Sequence, residues 1–70
     1  MNLLEAVVGV DYNIKEIKTN DSELNSFLFS LGCYSGEKIS VVRRLKGGLI
    51  VLIKNVKYNI DTHLAKAIIV

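Results

Sequence analysis

Apolar residues in this chain follow two rhythms. Between Asn20 and Gly32 they recur at helical spacing: Leu24, Phe27, Leu28 and Leu31 stand at i, i+3, i+4 and i+7, one face of an amphipathic helix. Asn20 is placed to cap its start, with Glu23 reaching back, and Gly32 to close it in a left-handed conformation. Elsewhere the rhythm is that of strands. Tyr12, Ile14 and Glu16 share a face of one short strand, and Ile17 breaks the alternation as a bending barrel strand does. After the helix, Gly36 marks a turn, and "EKISVVRRL", "GLIVLIK", "KYNID" and "AIIV" read as successive strands. About five short strands, with one short helix after the first, predict a mainly β, partly open small barrel.

The run Leu49 to Ile53 is apolar on both faces, so its register decides what each face does. A hairpin loop at Asn55 and Val56 sets Lys54 opposite Lys57, Ile53 opposite Tyr58, Leu52 opposite Asn59 and Val51 opposite Ile60. A three-residue loop of Lys46, Gly47 and Gly48 sets Leu45 opposite Leu49, Val41 opposite Ile53, Arg44 beside Ile50 and Val42 beside Leu52. Leu49, Val51, Ile53, Tyr58, Ile60, Val41 and Ile39 then line the core. Val42, Ile50 and Leu52 form an apolar trio on the outer face, ringed by Arg44, Lys54, Asn59 and Asp61. Two readings compete for that trio. Leu3, Leu4, Val7 and Val8 fold back over it, or it is a surface for a partner, either another protein or a second copy.

Composition narrows the class. Seventy residues make one domain, residues 1–70, and half of them are hydrophobic, with no proline and one cysteine. A single cysteine permits no intramolecular disulfide, which points to a reducing, cytoplasmic setting. A formal net charge of +2 is too small to mark a nucleic-acid or membrane binder. The opening "MNLLEAVVGV" lacks the basic leader of a secretory signal. No segment approaches the roughly 20 apolar residues of a membrane span, so direct membrane insertion is not expected.

Candidate chemistry is sparse. There is no P-loop pattern, and one histidine with scattered serines gives no basis for a catalytic triad, so the chain reads as a non-enzyme without a cofactor. Asp61 and His63 share one side if the chain there is extended, which makes them weak metal candidates, two ligands where a closed site takes about four. Cys33 has no adjacent cation to lower its pKa and reads as a packed apolar residue. "RRLK", Arg43 to Lys46, is the one basic cluster. The tyrosines at 12, 34 and 58 are too dispersed to stack bases beside it, so a solvated strand end is expected rather than a nucleic-acid site.

The order of these pieces resembles the FeoA family, ferrous iron transport protein A. The helix ending in Leu31-Gly32, the turn glycine Gly36, the strand with Ile39 and Val41, the "GG" connection and the closing Leu64, Ala65, Ile68 and Val70 carry the likeness across the whole chain. It departs from the family pattern at Ser35, where a proline is usual, at the proline-free connection Lys46 to Gly48, and at Asn59 and Ile60. The resemblance implies an SH3-like barrel that serves bacterial ferrous iron uptake as an accessory module on the FeoB-type membrane GTPase transporter. Val42, Ile50, Leu52, Arg43, Arg44 and Tyr34 are the candidate contacts. A related barrel in iron-dependent repressors gives the alternative, a metal-sensing, regulatory or nucleic-acid-binding domain.

Overall fold

The computed structural model describes residues 1–70. A single 3-10 turn, Leu3–Glu5, is followed by the short strands β1 (Asp11–Asn13) and β2 (Glu16–Ile17) and the helix α1 (Ser22–Ser30). Three longer strands come next, β3 (Lys38–Leu45), β4 (Gly48–Ile53) and β5 (Val56–Asp61), then a second helix α2 (Thr62–Ala67) and β6 (Ile68–Ile69). One sheet has the order β1-β3-β4-β5, all antiparallel; the other pairs β2 with β6. The single strand expected through Tyr12, Ile14 and Glu16 is instead two, and the break lies at Ile14 and Lys15 rather than at Ile17. The chain leaves the first sheet after Asn13 and joins the second at Glu16, while Ile14 is buried between them.

Helix α1 begins one residue later than expected. Asp21, not Asn20, is the N-cap, and its carboxylate accepts from the amides of Glu23 and Leu24. Its C-terminus is a Schellman motif: Gly32 takes φ +92°, its amide donates to Phe29, and the Cys33 amide donates to Leu28. Leu24 and Leu28 are buried as expected, but Phe27 is 48% exposed. A helix of nine residues seated on a small barrel buries a narrow stripe, and Phe27 falls outside it.

Helix α2 replaces the extended chain on which the pairing of Asp61 with His63 depended. Asp61 ends β5 and caps the new helix, accepting from the Leu64 amide at 2.8 Å. The segment buries Ala65 and Ala67, and Ile68 and Val70 follow them into the core. The six-residue helix is too short for its periodicity to stand out from the strands on either side.

The two hairpin loops also differ from expectation. The β4–β5 turn is Lys54-Asn55, with φ +50° and +66°, as a type I′ turn requires at both central residues. Asn55 tolerates that geometry, whereas β-branched Val56 does not and starts the strand instead. The pairs become Ile53–Val56, Leu52–Lys57, Val51–Tyr58, Ile50–Asn59 and Leu49–Ile60. Because the loop moved by one residue on each side, the faces are unchanged. The β3–β4 loop is Lys46-Gly47, with Gly47 at φ +83°. Gly48 already belongs to β4, where an added Cβ would lie 2.4 Å from the Ile60 carbonyl oxygen, so this position admits no side chain.

A β-bulge between Val41 and Arg43 makes Val42 the extra residue of β3. Below it Ile39 pairs with Ile53, Ser40 with Leu52 and Val41 with Val51. Above it Arg43 pairs with Ile50, Arg44 with Leu49 and Leu45 with Gly48. Arg44 therefore stands across from core residue Leu49 rather than beside Ile50. Its guanidinium escapes burial by reaching the rim, where it donates to the carbonyls of Leu4 at 2.9 Å and Ala6 at 2.5 Å. That contact ties the N-terminal segment down and puts Leu3 and Ala6 into the core.

Candidate functional site

Two apolar surfaces remain accessible, and Lys54 borders both. The first is the outer face of the four-stranded sheet. Along β4 the buried residues Leu49, Val51 and Ile53 alternate with half-buried Ile50 and Leu52, which point outward. Leu52 lies between Ser40 and Lys57, and Ile50 between Arg43 and Asn59. Val42 and Arg43 together oppose Ile50 at the bulge, and Val42 is 38% exposed. The sequence-predicted trio thus forms a low ridge on one face, rimmed by Arg43, Lys57 and Asn59. A shallow depression beside it is lined by Asp11, Glu37, Lys38, Ser40, Leu52 and Lys54.

The N-terminal segment does not fold back over the ridge. It runs along the edge of β3, where the Gly9 amide donates to the Val41 carbonyl and Tyr12 Oη accepts from the Val7 amide at 2.9 Å. Leu3 is buried, Leu4 is half-buried against the core, and Val7 and Val8 stay exposed. Arg44 holds this segment and so belongs to the fold's own bonding, whereas Arg43 is free beside the ridge.

The second surface is a groove of about 520 Å³ between the C-terminus of α1 and the β4–β5 turn, lined mainly by Phe29, Leu31, Tyr34, Lys54, Val56 and Tyr58. Phe29 is 63% exposed and Val56 47%. The Phe29 and Tyr34 rings pack at 4.9 Å between centroids, tilted by 37°, which holds Phe29 upright at the groove wall. Lys54 spans the other side, its ammonium 5.2 Å from the Tyr34 ring centroid and 3.5 Å from the Glu37 carboxylate. Tyr34 and then Glu37 hold the Lys54 pKa above the ordinary lysine value. Tyr34 therefore belongs to the groove and not to the rim of the ridge.

Sequence reading missed the groove because its residues come from three segments. Phe29 is the one large apolar residue of α1 that helical spacing left off the core face, and that mismatch was the available signal. The weaker candidates separate as well. Asp61 is engaged as the cap of α2, and His63 is exposed in that helix's first turn. Cys33 is fully buried behind the α1 terminus, and burial pushes its thiol up to about 11, which leaves it protonated and unreactive at neutral pH. No helix is long and apolar enough to cross a membrane.

Comparison with known proteins follows the same outline. No curated protein matches the sequence. Among solved structures, FeoA of Stenotrophomonas maltophilia, a prokaryotic SH3-domain protein crystallised with zinc, superposes with a TM-score of 0.87 at 18% identity, over 99% of this chain and 87% of that one. Iron(II) transport protein A of Clostridium thermocellum superposes with a TM-score of 0.89 at 27% identity, over 99% of this chain and 43% of that one. A manganese-dependent transcriptional repressor shares the fold at a TM-score of 0.85 and 20% identity, over 97% of this chain and 39% of that one. The FeoA domain model matches residues 1–70, and with an SH3-like architecture beneath that match, this chain belongs to the FeoA family of ferrous iron transport-associated domains.

Proposed function

We propose that this protein is a docking module that binds the cytoplasmic side of a FeoB-type ferrous iron transporter and acts by adding contacts, with no chemistry of its own. The observation that carries the reading is the groove wall. Phe29 stands 63% exposed on a domain whose other large side chains are mostly drawn inward, and Leu31, Val56 and Tyr58 extend it into one concave apolar strip. Aromatic residues in such a recess are the usual anchors of a protein interface. The ridge of Val42, Ile50 and Leu52, with Arg43 beside it, is flatter and supplies a secondary contact. Surfaces of this size suit a weak or transient complex. Membership in the FeoA family supports the choice of partner.

The test is binding of the purified protein to the detergent-solubilised transporter, measured for the wild type, Phe29→Ser and Leu52→Asp. Phe29 is exposed, so Phe29→Ser should leave thermal unfolding nearly unchanged, while half-buried Leu52 points outward and Leu52→Asp is compared where it remains folded. Phe29→Ser is expected to weaken binding at least tenfold, as loss of an aromatic anchor does, and Leu52→Asp to weaken it less. Unaltered binding by folded Phe29→Ser removes the groove from the proposal, and no binding by the wild type removes the function.

A further inference from the structure

We propose that the free edge of β5 pairs with β5 of a second copy of this chain, antiparallel and centred on Asn59. β5 ends its sheet, with β4 on one side and no strand on the other. The Lys54-Asn55 turn makes Ile53–Val56 the hydrogen-bonded pair that closes the hairpin, so Val56, Tyr58 and Ile60 direct their amides and carbonyls to β4. Those of Lys57, Asn59 and Asp61 point away from the sheet. The amides of all three and the carbonyls of Lys57 and Asn59 are left without a backbone partner in the sheet, while the Asp61 carbonyl serves the first turn of α2 as its N-cap. All three residues are exposed, and such an edge is a template for another strand.

The sequence of the edge selects the occupant and the register. Centred on Asn59, the antiparallel pair sets Asn59 against the partner's Asn59 and Lys57 against the partner's Asp61, and by symmetry the reverse. Opposite charges then face each other directly across both ends of the ladder. Centring on Lys57 would oppose two ammonium groups, and centring on Tyr58 would leave both charges unmatched. Asp61 keeps its cap in the paired state, because Oδ1 accepts from Leu64 and the second carboxylate oxygen is free for the lysine. A twofold axis through Asn59 closes the assembly at two copies, as an isologous contact does.

Sedimentation equilibrium on the intact protein, from tens of micromolar to millimolar at low salt, should show monomer passing into dimer. Amide exchange over the same range should show protection appearing at Lys57, Asn59 and Asp61. Asn59→Pro deletes an amide that the monomer's own sheet does not use, and proline is tolerated at that side of an edge strand. It should stay folded by circular dichroism and remain monomeric. Lys57→Glu sets like charges against the partner's Asp61 and should weaken association about tenfold; it decides the matter should Asn59→Pro fail to fold. A monomer at every concentration overturns the proposal. So does a dimer without protection at Asn59, a dimer that survives in folded Asn59→Pro, or one that Lys57→Glu leaves unchanged.

Discussion

The ridge and the groove are both apolar and both accessible, yet they arise in opposite ways. The ridge is a consequence of one strand's alternation: Ile50 and Leu52 point outward because Leu49, Val51 and Ile53 point inward. The groove has no such local origin. It exists because α1 stops at Gly32, the chain turns at Gly36, and the β4–β5 turn arrives from elsewhere to close the recess. The comparison teaches that a surface made by one strand is flat and half-covered by its cross-strand neighbours. A surface made by several segments can be concave and can hold an aromatic residue exposed.

The largest effect that separates the two regions is expected at Leu28, which is fully buried and anchors α1. Leu28→Ala should cost about 3 kcal/mol of unfolding free energy and weaken the groove, one wall of which is this helix. Urea unfolding measures it, and a loss below about 1 kcal/mol would mean that the helix is not held as described.

Cys33 gives the next effect, behind the same wall. Burial pushes its folded thiol up to about 11 from an ordinary value of 9.0. Below pH 9 the thiol is neutral in both states and the stability is intact. Above it the unfolded chain loses the proton first, so stability falls by about 3 kcal/mol as pH rises from 9 through 11. The pH profile of Cys33→Ala, measured against the wild type, should lack that component, and superimposable profiles would contradict the burial of the thiol.

The smallest effect lies on the ridge side. Arg44→Ala removes two donors from the carbonyls of Leu4 and Ala6. The bond to Leu4 is exposed and that to Ala6 only part-buried, so the loss should be about 1 kcal/mol. Faster amide exchange at Ala6 and Gly9 should accompany it while the groove is untouched. Unchanged exchange there would show that Arg44 does not hold the segment.

The fold was legible to the degree that the chain's own neighbours enforce it. The inward set Ile39, Val41, Leu49, Val51, Ile53 and Ile60 was readable from alternation and survived an error in loop position, because moving a two-residue turn by one residue changes the pairs but not the faces. The Schellman glycine and the turn glycine were readable for the same reason, since few residues adopt those φ values. The bulge at Val42 was not readable. Nothing in "SVVRR" says which residue is extra, and placing Arg44 inward looked like a buried charge until Leu4 and Ala6 supplied acceptors at the rim.

By itself, then, the order of apolar and polar residues determined that this protein is a small β domain with the helix α1 and two hairpins, and which faces of β4, β5 and β3 up to Val41 look inward. It also carried the family likeness. Only the tertiary structure decided that Phe29, Tyr34, Lys54 and Val56 meet in one groove, that Arg44 fastens the N-terminal segment, and that β5 is left with an open edge. The physical reason is range. Periodicity reports contacts between residues a few positions apart, whereas each of those features is a meeting of segments distant along the chain, or the absence of one, and depends on how the whole barrel closes.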